Sequence, residues 1–269
     1  MINIKSLIII VYIVFINYSV LSDEADKVTT TSSDFETTYN EDEIFDPIEP
    51  INRFIFGFNN MADKIILEPA AKGYRKLPLV IRRGTGNMVN NLSNLVTIPN
   101  NLLQGQLQQA GLNTLRFTLN TTIGILGFFD PANGLGLRAV GKEDYGQTLG
   151  AWGSHSGCYF VLPVLGPTTV RDFTGTVINF VGGDPWYNVT VRQDTNFFKD
   201  RDFYVSRATN SVDFRAKNIE SFDSLERNSI DFYASVKSLY LQDRKKKVGN
   251  SDSITETQDD SDWEEINNN

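Results

Sequence analysis

A single cysteine, Cys158, and a single histidine, His155, stand in a chain of 269 residues. The first shortage excludes an intrachain disulfide and any zinc or iron–sulfur site built on several cysteines. The second leaves few ways to move a proton at neutral pH. Positive charge is also scarce: 25 Lys and Arg face 33 Asp and Glu, a formal net charge of −8. Such a field repels phosphate polymers, so no nucleic acid is expected as a partner. No apolar run reaches the roughly 20 residues that a membrane-crossing helix needs, and no internal repeat of fixed period is present.

What remains for catalysis is thin. A Cys158–His155 dyad or a Ser156 nucleophile would have to arise within "WGSHSGC", where Ser154 occupies the place of the first glycine of a nucleophile elbow. Gly84 and Gly86 open a glycine-bearing segment, but Val89 stands where a dinucleotide fingerprint needs its third glycine. "VGGDPW" from Val181 reads as a turn. Asp200 with Asp202, and Asp259 with Asp260, lack the glycine and distal glutamate of a calcium loop. The expectation is a protein with no catalytic site, no metal and no cofactor.

The ends of the chain are compositionally distinct. Lys5 precedes an apolar stretch from Leu7 to Val20, and Val20 and Ser22 occupy small-residue positions before Asp23, so residues 1–22 read as a signal peptide, with an uncleaved anchor as the rival. Residues 23–44 read as a disordered acidic linker and residues 243–269 as a disordered charged tail, too poor in aliphatics to offset ordering entropy. Residues 45–242 form one domain.

Within that domain the apolar spacing is mainly helical. Ile51, Phe54, Ile55, Phe58, Met61 and Ile65 share one face, opposite Asn52, Asn59, Asn60 and Asp63, and Pro69 is expected to end the helix. Met88, Leu92, Leu95 and Val96 mark a second helix, with a new start at Pro99 carrying Leu102, Leu103 and Leu107. Leu112, Leu115 and Leu119 continue into Ile123 and Leu126, where Gly124 and Gly127 loosen the pattern before Phe128 and Phe129. Residues 134–157 read as loops and short strands, and "YFVLPVLG" from Tyr159 as a buried extended piece. Val205, Ala208, Val212, Ile219 and Phe222 mark one late helix, and Ile230, Tyr233, Val236 and Tyr240 another. The 18 phenylalanines suit either an aromatic core or a lipid-facing surface.

Five segments in fixed order carry a family resemblance. They are "DPIEPINRFIFGFN" from Asp46, "FTLNTTIGILGFFDPA" from Phe117, "EDYGQTLGAWG" from Glu143, "YFVLPVLGPTTVRD" from Tyr159 and "SIDFYASVKSLYLQ" from Ser229. Together they resemble the MlaA/VacJ family. The resemblance implies a mainly α fold, an irregular ring of amphipathic helices around a central channel with few or no short strands. It also implies a non-enzymatic role: removing phospholipid misplaced in the outer leaflet of the outer membrane and passing it to a periplasmic lipid-carrier protein. Such a protein sits beside a trimeric porin at the periplasmic, inner-leaflet face, and the alternative is a structural envelope protein that only scaffolds porins.

On this resemblance Phe54, Phe58, Ile123, Leu126, Phe128 and Phe129 are the expected lipid-path or gate residues. Asp46, Pro47, Asn52, Arg53, Asn120, Asp130, Gly146, Leu149, Gly150, Pro163, Gly166, Pro167, Arg171 and Asp172 are the expected structural motif, with Arg53, Asp130, Arg171 and Asp172 in ion pairs. The chain departs from the family pattern in having no cysteine near Ser22 for lipidation, Ser154 and His155 in place of glycine or valine, Cys158 in a Gly-Pro-Tyr segment, Phe232 for proline and Lys237 for arginine.

Overall fold

The computed structural model describes residues 46–193 and 197–249. The expected signal segment, the acidic linker and the tail beyond residue 249 lie outside the described residues.

Helix α1, Glu49–Ala62, places Pro50 in its first turn, where a missing N–H is harmless. It does not stop at Pro69. A π-turn over Asp63–Leu67 widens the coil just ahead of the proline, and Pro69 then lies in the first turn of α2, Glu68–Arg75. Pro99 likewise fails to divide its segment, because α3 runs unbroken from Leu79 to Leu103. The proline deletes one bond to the Leu95 carbonyl, and packing of α3 along α4, Leu107–Thr122, outweighs that loss. The break falls instead at Gly105, whose φ of 75° suits glycine.

The segment from 134 to 157 is more ordered than its glycines suggested. A short turn of helix, α5, spans Pro131–Gly134, and α6 spans Tyr145–Ala151. Asp144 caps α6 by accepting from the Gln147 amide at 2.9 Å. The extended piece is half of an antiparallel hairpin, β1 at Tyr159–Leu162 and β2 at Gly166–Thr169, with Tyr159 opposite Thr169. Thr169 then caps α7, Val170–Ile178. Helices α6 and α7 cross back to back at two glycines, since a Cβ on Gly175 would lie 2.3 Å from the Gly146 amide nitrogen.

A kink at Gly182 leads to α8, Pro185–Tyr187, capped by Asp184. The single late helix expected over 205–222 is two helices, α9 at Asp200–Lys217 and α10 at Ile219–Asn228. Asn218 leaves the helical region between them, at φ −113° and ψ 21°. Helix α11, Phe232–Val248, closes the domain and continues past Gln242, carrying Lys245 to Lys247 on its last turn.

The elements form an irregular ring of helices with one two-stranded sheet. Helix α1 packs on β1, α11 on α6, α3 on α4, α6 and α8, and α9 on both α2 and α3. Tyr159, Val161 and Tyr233 make one small buried cluster; Ala71, Ala216 and Ile219 make another. Neither is large. Among the described residues, no helix is long and apolar enough to cross a membrane.

Candidate functional site: a cavity of mixed lining behind an apolar surface

The two faces of α1 point the opposite way from those of a water-soluble helix. Asn52 is fully buried, whereas Phe54 is 78% exposed and Phe58, Met61, Ile65 and Ile66 are exposed beside it. Asn52 earns its burial through hydrogen bonds: its amide donates to Asp46 at 2.7 Å and to the Tyr159 carbonyl, and its oxygen accepts from Val161 N at 2.9 Å. Asn59 bridges the hairpin in the same way, donating to Leu162 O at 2.8 Å and accepting from Val164 N at 2.8 Å.

Helices α3 and α4 repeat the inversion. Asn91, Asn94, Thr97, Asn100 and Asn101 run as a buried polar stripe down α3, while Leu102, Leu103 and Leu107 face outward. A chain of amides serves Asn101, whereas Asn91 Oδ1 is buried without a hydrogen-bond partner. Asn113 donates to Asn101 at 2.9 Å, Asn101 to Gln106 at 2.7 Å, Gln106 to Gln104 at 3.1 Å, and Gln104 to the Glu143 carboxylate at 2.9 Å. Thr148 completes it with a 2.6 Å bond to Asn100.

This interior holds a cavity of about 180 Å³ between α3, the segment preceding α6, the cap of α8 and α9. Val96, Thr97, Lys142, Glu143, Asp184 and Arg207 are among its walls. Arg207 donates to Asp184 at 2.6 Å. Behind the wall the Arg244 guanidinium spans two carboxylates, Asp144 at 2.7 Å and Asp172 at 2.8 Å, and Arg171 reaches Asp172 at 3.0 Å. Burial works against ionisation of Asp144, but Arg244 prevails and holds the carboxyl down to about 2.

Lys142 is different. Its side chain has solvent-accessible surface but is ringed by protein, as befits a group lining a cavity, and that surrounding, with the Arg116 charge, lowers its pKa to about 7. Its ammonium donates to Asn90 O at 2.7 Å and Asn94 Oδ1 at 2.9 Å. Burial pushes the neighbouring Glu143 carboxyl up, against the bond from Gln104.

The sequence-derived site residues fall into two groups. Phe54, Phe58, Ile123, Leu126 and Phe129 are solvent-exposed, and Phe128 packs edge-on against Phe129 and against the bare face of Gly84; none of the six is among the cavity's lining residues. The motif residues hold the scaffold. Arg53 reaches Asp231 at 2.6 Å and Glu49 at 2.7 Å, and Asp130 takes Arg116 at 2.7 Å and Asn120 at 2.9 Å. A Cβ at Gly146 would meet Asp172 at 2.6 Å, and one at Gly150 would meet Val248 at 2.7 Å. Pro163 and Gly166 shape the hairpin turn, Gly166 at φ 82°, and Pro167 sits opposite Val161 in its register. Pro47 lies exposed in the turn before α1, and the Leu149 carbonyl accepts from Ser154 N at 2.9 Å beyond α6.

Sequence reasoning missed Lys142, Glu143, Asp184 and Arg207, along with the asparagine stripe of α3. One signal was available: Asp144 three residues before Gln147 marks a helix start, and so fixes where the segment carrying Lys142 turns inward. Among the described residues, no three His, Cys, Asp or Glu side chains gather as a metal would require.

Comparison with known proteins places this arrangement. A family model described as MlaA lipoprotein matches residues 44–247. The Haemophilus influenzae protein named intermembrane phospholipid transport system lipoprotein MlaA is 34% identical over 215 residues, 76% of this chain and 79% of that one. The Escherichia coli K12 protein of the same name is 33% identical over 202 residues, 73% and 76% of the two chains. A chain solved in work on the structural basis for maintenance of bacterial outer membrane lipid asymmetry superposes with a TM-score of 0.64 at 30% identity, covering 76% of this chain and 99% of that one. With buried polar stripes, exposed apolar faces and a family match over residues 44–247, the chain belongs to the MlaA lipoprotein family.

Proposed function

We propose that this protein moves phospholipid at the outer membrane, taking molecules misplaced in the outer leaflet through its polar interior toward the periplasm and so preserving lipid asymmetry. The observation that carries the reading is the inversion: apolar side chains outside, amides and charges inside, around a cavity. In water the exposed apolar side chains would each forfeit about 1.5–3 kcal/mol of burial, so an exterior of this composition is stable against acyl chains. The ring then rests in one leaflet by its flanks, as interfacial amphipathic helices do.

Transport needs no covalent chemistry. A phospholipid leaving a bilayer exposes tails at about 0.8 kcal/mol per methylene, and a path with polar groups for the head and apolar surface for the tails lowers that barrier. The relatives named as parts of an intermembrane phospholipid transport system support the same reading. In it, residues 1–22 direct export, the exposed residues Phe54, Phe58, Ile123, Leu126 and Phe129 contact lipid, a trimeric porin holds the ring in place, and a periplasmic lipid carrier receives the cargo.

Native mass spectrometry of protein extracted from outer membranes tests this. Phospholipid retained in stoichiometric amount is expected; a lipid-free protein that still binds porin would favour a scaffold instead.

A further inference from the structure

The charged groups facing the cavity divide into those already neutralised and those left over. Arg207 is matched by Asp184 at 2.6 Å, and Asp144 by Arg244 at 2.7 Å. Lys142 and Glu143 remain. The contacts of Lys142 are a backbone carbonyl and an asparagine oxygen, both neutral, which leave one ammonium N–H for another acceptor. The Glu143 carboxylate takes the neutral Gln104 amide at 2.9 Å on one oxygen, and the cations that act on it, Arg244 and Lys247, do so at longer range than an ion pair.

These two residues are adjacent in sequence, opposite in sign, and both line the same wall. No ion pair joins the two. A cationic and an anionic group held apart, each without a counterion in direct contact, are together complementary to a ligand carrying both charges.

Resting on the transport reading above, we infer that this cavity selects a zwitterionic aminophosphate headgroup, with Lys142 taking the phosphate and Glu143 the ammonium. Size agrees, because about 180 Å³ is the share of roughly six water molecules in the liquid, enough for a phosphate, an ethylene spacer and an amine. The Asn210 side chain on the same wall can donate to a further phosphate oxygen. An anionic phosphoglycerol headgroup would satisfy Lys142 but leave Glu143 facing added negative charge. Selection therefore comes as much from Glu143 rejecting the anionic lipid as from Lys142 attracting phosphate.

The experiment is a native mass-spectrometric competition on the full chain in detergent, using equimolar phosphatidylethanolamine and phosphatidylglycerol of identical tails. A preference of about tenfold or more for phosphatidylethanolamine is expected, equivalent to about 1.4 kcal/mol. Glu143→Gln should bring the ratio close to one by readmitting the anionic lipid, and Lys142→Met should weaken both lipids. The double exchange Lys142→Glu with Glu143→Lys, which keeps both charges on the wall, should retain part of the preference and guards against a misfolded single variant. Tail-free glycerophosphoethanolamine should compete weakly with the lipid and lose that effect in Glu143→Gln. Equal retention of both lipids by the wild type, or an undiminished preference in folded Glu143→Gln, overturns the selection while leaving transport standing. Glycerophosphoethanolamine bound in preference to the intact lipid overturns a lipid headgroup as the ligand, and no phospholipid bound at all overturns the transport reading itself.

Discussion

The Asp46 carboxylate accepts the Tyr233 hydroxyl at 2.5 Å, joining residues 187 positions apart. The same carboxylate takes Lys237 at 3.1 Å and Asn52 at 2.7 Å. One nearly buried group thus ties the lead-in of α1 to α11, the first helix of the ring to the last. Burial works against its charge, but the bonds from Tyr233, Lys237 and Asn52 together hold the carboxyl below its ordinary range.

Asp46→Ala removes that clasp and leaves the Lys237 ammonium without its carboxylate. A loss of about 3 kcal/mol is expected, lowering Tm by about 6–12 °C for a domain of this size. Thermal unfolding in detergent measures it; an unchanged Tm would show that the ring closes without this contact.

Acid stability should follow the Arg244 cluster. Asp144 is held down to about 2 and Asp172 also lies below its ordinary value, in each case against burial and chiefly through Arg244. A carboxylate depressed in the folded state stabilises the fold above its ordinary value of 3.8, and that contribution is lost as pH falls from about 4 toward 2. Arg244→Met should be less stable than wild type at neutral pH and should show a shallower loss, since Asp144 is left with no cation in ion-pair contact and protonates more readily, while Asp172 keeps Arg171. Circular dichroism across pH 2 to 7 compares the two.

Lys142 should oppose stability while serving binding. Its lowered pKa means that the charged form is disfavoured in the folded state. Stability therefore rises with pH between about 7 and the ordinary lysine value of 10.5. The cavity is accessible to solvent, which screens the penalty to about 1 kcal/mol, so Lys142→Met should raise Tm by about 2–4 °C. A fall in Tm would mean that the ammonium is structurally required.

Backbone strain marks the loop after α4. Ile125 and Leu126 hold φ of 54° and 56°, in the left-handed region, with their side chains exposed. For residues other than glycine this conformation costs about 1–2 kcal/mol, and in Ile125→Gly the relief exceeds the extra unfolded-state entropy of about 0.4–1 kcal/mol. A small rise in Tm is expected, together with weaker binding to phospholipid vesicles, because an exposed apolar anchor is lost. Vesicle flotation separates the two effects; unaltered flotation would count against lipid contact by this loop.

Much of the helical architecture was legible because amphipathic spacing is a local property. Ile51, Phe54, Ile55, Phe58 and Met61 marked one face of α1 and Asn52 and Asn59 the other. Spacing alone could not tell which face looks inward, since the period is the same for a helix in water and a helix in lipid. The family resemblance supplied the setting in which Asn52 belongs inside. Pro69 and Pro99 misled because a π-turn in one case and tertiary packing in the other absorbed the missing donor. The cavity wall was illegible for a different reason: Lys142, Asp184 and Arg207 come from three separate segments and form no motif, so only the fold brings them together.

Nitroxide labels placed singly at Phe54, Met61 and Leu107 on the apolar surface and at Ser93 and Asn210 on the cavity wall, in protein reconstituted into phospholipid bilayers, test whether the apolar faces meet lipid. Lipid-soluble oxygen should relax the three outer labels more strongly than a water-soluble nickel chelate does, and the chelate or bulk water should dominate at the two inner positions. Outer labels that respond mainly to the water-soluble agent would contradict the account, placing the apolar shell outside the bilayer.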